Sequence, residues 1–199
     1  MLSQLVLPNL HYTIFMAEDF SQFSATELLS HYKSKSASPV EVTKAILARI
    51  DTLQRSYNVY REVNHQAALQ QAKDSETRWQ KGAPLGLLDG VPVGFKDLLN
   101  VQGFPTRKGS LATPDTIQTE DSPVAARLRE SGAVILGKTQ TAEFGWKGLT
   151  ETKLAGVTPN AWDREYASGG SSCPDSGCHQ RTACNPNHGY GYASGRSCV

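Results

Sequence analysis

Residues 122–139 read SPVAARLRESGAVILGKT, and their order decides the fold class. Ser122 is a good helix N-cap and Pro123 suits a first helical position, so a helix is expected over 124–131, ended by Gly132. Ala133-Val134-Ile135-Leu136-Gly137 is a short continuous apolar run, which predicts a buried strand closing on Lys138-Thr139. Upstream, residues 87–97 (LLDGVPVGFKD) form a second apolar run with turn residues inside it and Lys96-Asp97 at its end. Strand, loop, helix and strand in that order predict a mixed α/β domain with some parallel pairing.

Further toward the N-terminus the pattern is helical. Ser24 with Glu27 three positions later makes a capping box, and a helix is expected over 24–33 with Leu28, Leu29 and Tyr32 on one face. Ser38-Pro39-Val40-Glu41 repeats the signal, and Val42, Ala45, Ile46, Arg49 and Ile50 continue at helical spacing. Residues 64–81, rich in Ala, Gln and Lys, read as a third, more exposed helix stopped by Gly82-Ala83-Pro84. Residues 101–119 and 148–172 read as loop, the second ending in Ser168-Gly169-Gly170-Ser171-Ser172. Residues 1–20 are expected to be a disordered leader, with Met16 as an alternative start, and 21–172 to carry the fold.

Composition bounds the function. The chain has 199 residues, with 20 Lys plus Arg against 19 Asp plus Glu and a net charge of +1. That balance gives no electrostatic case for a nucleic-acid or membrane partner. No stretch approaches the ~20 apolar residues of a transmembrane helix, and the N-terminus lacks the basic region and cleavage site of a secretory signal. A cytoplasmic protein is expected. The four cysteines, Cys173, Cys178, Cys184 and Cys198, all fall in the tail.

Two segments carry chemistry. Lys96 leaves the end of an apolar strand; a lysine buried there has its charged form disfavoured, which suits a general base near neutral pH. The plainer alternative is a lysine that snorkels to solvent or pairs with Asp97. In Ser168-Gly169-Gly170-Ser171-Ser172 the glycines permit close backbone approach to an anion and the serines offer hydroxyls, although a flexible linker looks the same.

Taken in order, LGLLDGVPVGFKDL (85–98), Gly103-Phe104-Pro105-Thr106, Gly109-Ser110, DSPVAARL (121–128), GAVILGKT (132–139), Glu143-Phe144-Gly145, Asn160-Ala161-Trp162-Asp163 and Ser168 to Ser172 form a series. From about residue 24 to Ser172 it resembles the front part of the amidase signature family, which includes bacterial amidases, fatty-acid amide hydrolases, allophanate hydrolases and the A subunit of the tRNA-dependent amidotransferase. The resemblance implies a large mixed β-sheet covered by helices on both faces, here truncated, since family members are more than twice this length. It implies a hydrolase of carboxylic amides with a Ser, cis-Ser, Lys triad and no cofactor. Lys96 matches the family's lysine, the general base. Ser171 matches the bridging serine with a cis peptide bond, and Ser172 would be a hydrogen-bonding neighbour. Gly169 and Gly170 would lie in the substrate and oxyanion neighbourhood. The implied partners are a small-molecule amide and either a second copy or amidotransferase subunits.

The resemblance breaks after Ser172. The family's nucleophile lies in a Gly-Thr-Asp-x-Gly-Gly-Ser segment that this sequence lacks; Ser194 and Ser197 lie at about the right distance without its Asp or its glycine pair. Residues 173–199 contain no Leu, Ile, Phe, Met, Trp, Lys or Glu. Such an abrupt change is what out-of-frame translation produces, and the chain is expected to be inactive alone. A rival reading of the tail is a metal site, but C-x4-C-x5-C-x3-H fits no established zinc spacing.

Overall fold

The computed structural model describes residues 19–170. The leader over residues 1–18 and everything from Ser171 onward, including the cysteine-rich tail, lie outside the described residues.

Helix α1 (Ala25–Ser34) starts where the sequence predicts. Ser24 Oγ accepts the Glu27 N–H at 3.3 Å, while Glu27 accepts the Ser24 N–H at 2.7 Å. Helix α2 (Pro39–Tyr57) opens with the same reciprocal box between Ser38 and Glu41. Each such cap stabilises its helix by about 1 kcal/mol. A short strand β1 (Tyr60–Val63) follows, then α3 (His65–Gln80). Strand β2 (Pro92–Lys96), helix α4 (Pro123–Glu130) and strand β3 (Val134–Thr139) complete the βαβ unit.

The sheet order is β1-β3-β2, with β2 parallel and β1 antiparallel to β3. All six residues of β3 are buried, as expected of a central strand covered on both faces. On one face Val134 and Leu136 pack with Leu47 and Ile50 of α2 and with Ala68 and Ala72 of α3. On the other, Val93, Phe95 and Ile135 pack with Ala125 of α4 and with Val101 and Phe104 of the loop between β2 and α4. A third cluster joins Leu28 and Tyr32 of α1 to Ala37 and Val42. The β2–β3 register slips at Val93/Gly94, so Leu136 is an extra residue in β3. Such a bulge re-aims the residues after it, and it brings Phe95 opposite Lys138 and Lys96 opposite Thr139.

The predicted strand over 87–97 is shorter than its apolar run. Residues 86–91 form turns, with Asp89 N–H bonded to Gly86 O and Val91 N–H to Leu88 O, and Leu87 points into solvent. The cause is Asp89, whose buried carboxylate is held by Arg78 of α3 at 2.8 and 2.6 Å and by the Leu85 N–H at 2.7 Å. The region read as loop over 148–170 holds a two-residue ladder, β4 (Glu151–Thr152) with β5 (Gly156–Val157), and bridges Leu149 to Gly169 and Pro159 to Ala167.

Candidate active site

Lys96 is the last residue of β2 and is half-buried. Strand alternation turns it away from the Val93 and Phe95 face. It lies opposite Thr139 of β3, which in turn lies opposite Tyr60 of β1. Tyr60, Thr139 and Lys96 therefore form one row across the sheet at its C-terminal end.

Asp97, the next residue, goes the other way. Its Oδ1 accepts from Lys138 Nζ at 3.3 Å and from the Arg107 N–H at 3.2 Å, so the carboxylate is directed to β3 and to the loop that follows β2, not to its neighbour Lys96. Lys138 is completely buried, and its Nζ also donates to Leu99 O at 2.7 Å, Thr106 Oγ1 at 3.1 Å and Pro105 O at 3.3 Å. One ammonium thus ties loop 97–106 to the central strand. Burial pulls the Lys138 pKa below the ordinary lysine value, and Asp97 opposes that pull. Sequence reading marked Lys138 as a strand end and missed its role; the available signal was a lysine inside an otherwise apolar run.

Other residues of the ordered motifs are brought together where the loop after β2 meets the loop after β3. Ser110, itself buried, donates to Glu143 Oε1 at 2.7 Å. Phe144 N–H donates to Lys108 O at 2.8 Å, with Phe144 in the left-handed region at φ 49°. Strained non-glycine backbone of this kind survives only where the surroundings impose it.

The glycine pair is reached through Asn58. This residue ends α2 in the left-handed conformation and was not singled out from sequence. Its side chain accepts from Gln140 Nε2 at 3.0 Å and donates to Ala155 O at 2.7 Å. Its carbonyl accepts from Thr158 Oγ1 at 2.9 Å, and Thr158 O accepts the Ser168 N–H at 2.8 Å. A hydrogen-bonded path therefore runs from the end of β3 to Ser168, which is buried. Gly170 N–H is taken by Gly148 O. A Cβ on Gly170 would sit 2.6 Å from Lys147 O and 2.9 Å from Leu149 N, so only glycine fits there, while Gly169 faces open space. Ser171 and Ser172 lie outside the described residues. Among the described residues no cluster of His, Cys, Asp and Glu is arranged to hold a metal ion, and no helix is long and apolar enough to cross a membrane.

Comparison with known proteins agrees with this arrangement. The family model described as Amidase matches residues 41–177. The chain is 40% identical over 153 residues to the A subunit of the glutamyl-tRNA(Gln) amidotransferase of Salinispora tropica, covering 77% of this chain and 31% of that protein. It is 37% identical over 149 residues to an Acylamidase of Rhodococcus erythropolis, covering 75% of this chain and 31% of that protein. The chain thus spans about a third of the length of these curated relatives. Its fold matches the native peptide amidase of Stenotrophomonas maltophilia with a TM-score of 0.73 and 27% identity, over 79% of this chain and 34% of that one. A further match is a crystal structure of an amidase, with a TM-score of 0.73 and 27% identity over 79% of this chain and 36% of that one. With the βαβ sheet end, the ordered motifs and the glycine pair in these positions, the chain belongs to the amidase family and has the α/β fold of the amidase signature enzymes.

Proposed function

We propose that this chain carries the base half of an amide-hydrolysing site, with Lys96 as general base and Ser171 as the bridging serine. In the reaction, the nucleophile's O–H bond breaks as it attacks the amide carbonyl. Ser171 accepts that proton and passes its own to the neutral Lys96 amine, which becomes an ammonium. The proton then returns by the same route to the leaving nitrogen, and water repeats the sequence to release the acid. Ser172 steadies the relay, and Gly169 and Gly170 keep the backbone close to the reacting carbonyl. The observation that supports this reading is the placement of Lys96 at the C-terminal end of β2, with Ser168, the neighbour of the glycine pair, tied back to the end of β3 through Asn58 and Thr158.

The nucleophile segment does not occur among residues 173–199, so the 199-residue chain is expected to release no ammonia by itself. Residues 173–199 are read as out-of-frame text. Translating the coding DNA in all three frames beyond codon 172 tests this. A frame that continues into Gly-Thr-Asp-x-Gly-Gly-Ser supports it, and the restored protein is then assayed for ammonia release from simple carboxamides and from glutamine. Absence of such a frame, or turnover by the 199-residue chain itself, sinks it.

A second reading is favoured by the 40% identity to the A subunit of an amidotransferase: glutamine hydrolysis that supplies ammonia to partner subunits in the cytoplasm. Glutamine as the preferred substrate of the restored protein, with turnover stimulated by such subunits, would select this reading over a free-standing amidase.

A further inference from the structure

Thr139 is almost fully buried, and its Oγ1 has no hydrogen-bond partner among the described residues. A buried hydroxyl without a partner destabilises the fold, and a valine of the same shape would avoid that penalty. Threonine at this position therefore needs a reason, and its place in the sheet supplies one.

Thr139 stands between Tyr60 and Lys96 in the row that crosses the sheet. A Cβ built on Gly94 would lie 2.9 Å from Tyr60 Oη and 3.3 Å from Thr139 Cγ2, so these two side chains occupy the Gly94 face. Lys96, two residues further along β2, shares that face. The Thr139 methyl is turned onto Gly94, so the methyl and not the hydroxyl fills the space over that glycine, and Thr139 itself is the register partner of Lys96.

We infer that Thr139 is a positioning residue for Lys96, its hydroxyl an acceptor held for the N–H that the lysine gains when it takes up the proton. This rests on Lys96 being the general base. A neutral amine has two N–H donors and a lone pair; the ammonium has three donors. The proton transfer breaks an O–H bond and forms an N–H bond at Nζ, and no other reactant is needed. An acceptor unpartnered before the transfer and satisfied after it favours the state that develops in the transition state. The other charged and titratable groups at this sheet end are Tyr60, Arg61 and Glu62 of β1, Lys138 of β3, Asp97 and Arg107 of the β2 loop, and Glu143. All of them are unchanged in the test variants.

The test is peptide-mapped acylation of Lys96 by acetic anhydride as a function of pH, in the 199-residue chain and its Thr139→Val and Thr139→Ser variants. Loss of the acceptor should make the ammonium less favourable. The Lys96 labelling midpoint should fall by about half a pH unit or more in Thr139→Val and return in Thr139→Ser, while the thermal midpoint of Thr139→Val is no lower than that of the parent. An unchanged labelling midpoint overturns the inference. So does a marked loss of thermal stability, because it would mean that the hydroxyl is a bonded structural group. Labelling needs no turnover, so a midpoint shift in a restored protein that hydrolyses no amide would sink the amidase reading alone, and turnover without a shift would sink only the role of Thr139.

Discussion

Lys138 Nζ lies 3.3 Å from Asp97 Oδ1, with both side chains essentially out of solvent. Asp97 follows Lys96 directly, so the pair anchors the residue beside the proposed base to the central strand. Removing one partner leaves the other as an uncompensated buried charge. Asp97→Asn and Lys138→Met are each expected to cost about 3–5 kcal/mol in urea unfolding, and the double variant clearly less than their sum. Additive costs would mean that the two groups do not interact. Burial lowers the Lys138 pKa, so the unfolded chain binds that proton more tightly. Stability from this group should therefore rise with pH from its folded pKa up to the ordinary lysine value, and Lys138→Met should abolish that rise.

The Asp89 carboxylate gives a pH dependence of the same sign, in the acid range. Burial raises its pKa, but hydrogen bonds from Arg78 and from the Leu85 N–H outweigh burial and hold it below the ordinary carboxylate value. A lowered folded pKa contributes stability that is present above pH ~4 and lost as the pH falls through the folded value. Asp89→Asn should flatten the acid limb of the stability curve and cost about 2–4 kcal/mol at neutral pH. A parallel acid limb in the variant would show that another group controls it.

Local rules made most of the fold legible. Ser24, Ser38 and Pro123 mark helix starts, and Gly132 marks a stop, because caps and breakers act through neighbours in sequence. The β2–α4–β3 unit was readable for the same reason. Strand β1 was not: its four residues, Tyr-Arg-Glu-Val, carry no clean alternation, and the strand exists by pairing with β3, more than 70 residues away. Lys96 could be found because it ends an apolar run and belongs to an ordered series of motifs. Lys138 and Asn58 owe their roles to partners far apart in the chain, Leu99 and Pro105 for one, Ala155 and Thr158 for the other. No local pattern announces such partners.

Asn58 combines a left-handed helix end with hydrogen bonds to two segments, Gln140 after β3 and residues 155–158, so two variants separate its duties. Asn58→Gly keeps the backbone conformation and loses the side-chain bonds; Asn58→Ala loses both. Alanine is expected to cost about 2–3 kcal/mol and glycine less. Both should speed amide hydrogen exchange at Ser168, whose N–H donates to Thr158 O on the path to the glycine pair, and at Thr158, whose N–H donates to Thr150 O beside it. Unchanged exchange there would show that residues 150–170 are held independently of α2.

Where the reading frame beyond codon 172 supplies the nucleophile segment, Lys96 and Ser171 are tested directly by turnover. Lys96→Ala and Ser171→Ala should each lower kcat by about 10²–10⁴-fold with little change in KM, since both act on proton transfer and not on ground-state binding. Lys96→Arg should be nearly as damaging although it keeps the positive charge, because a guanidinium does not release its proton and so cannot serve as a base. Arginine that restored turnover would mean that position 96 supplies only charge. Near-normal turnover in the alanine variants would remove Lys96 and Ser171 from the proton route altogether.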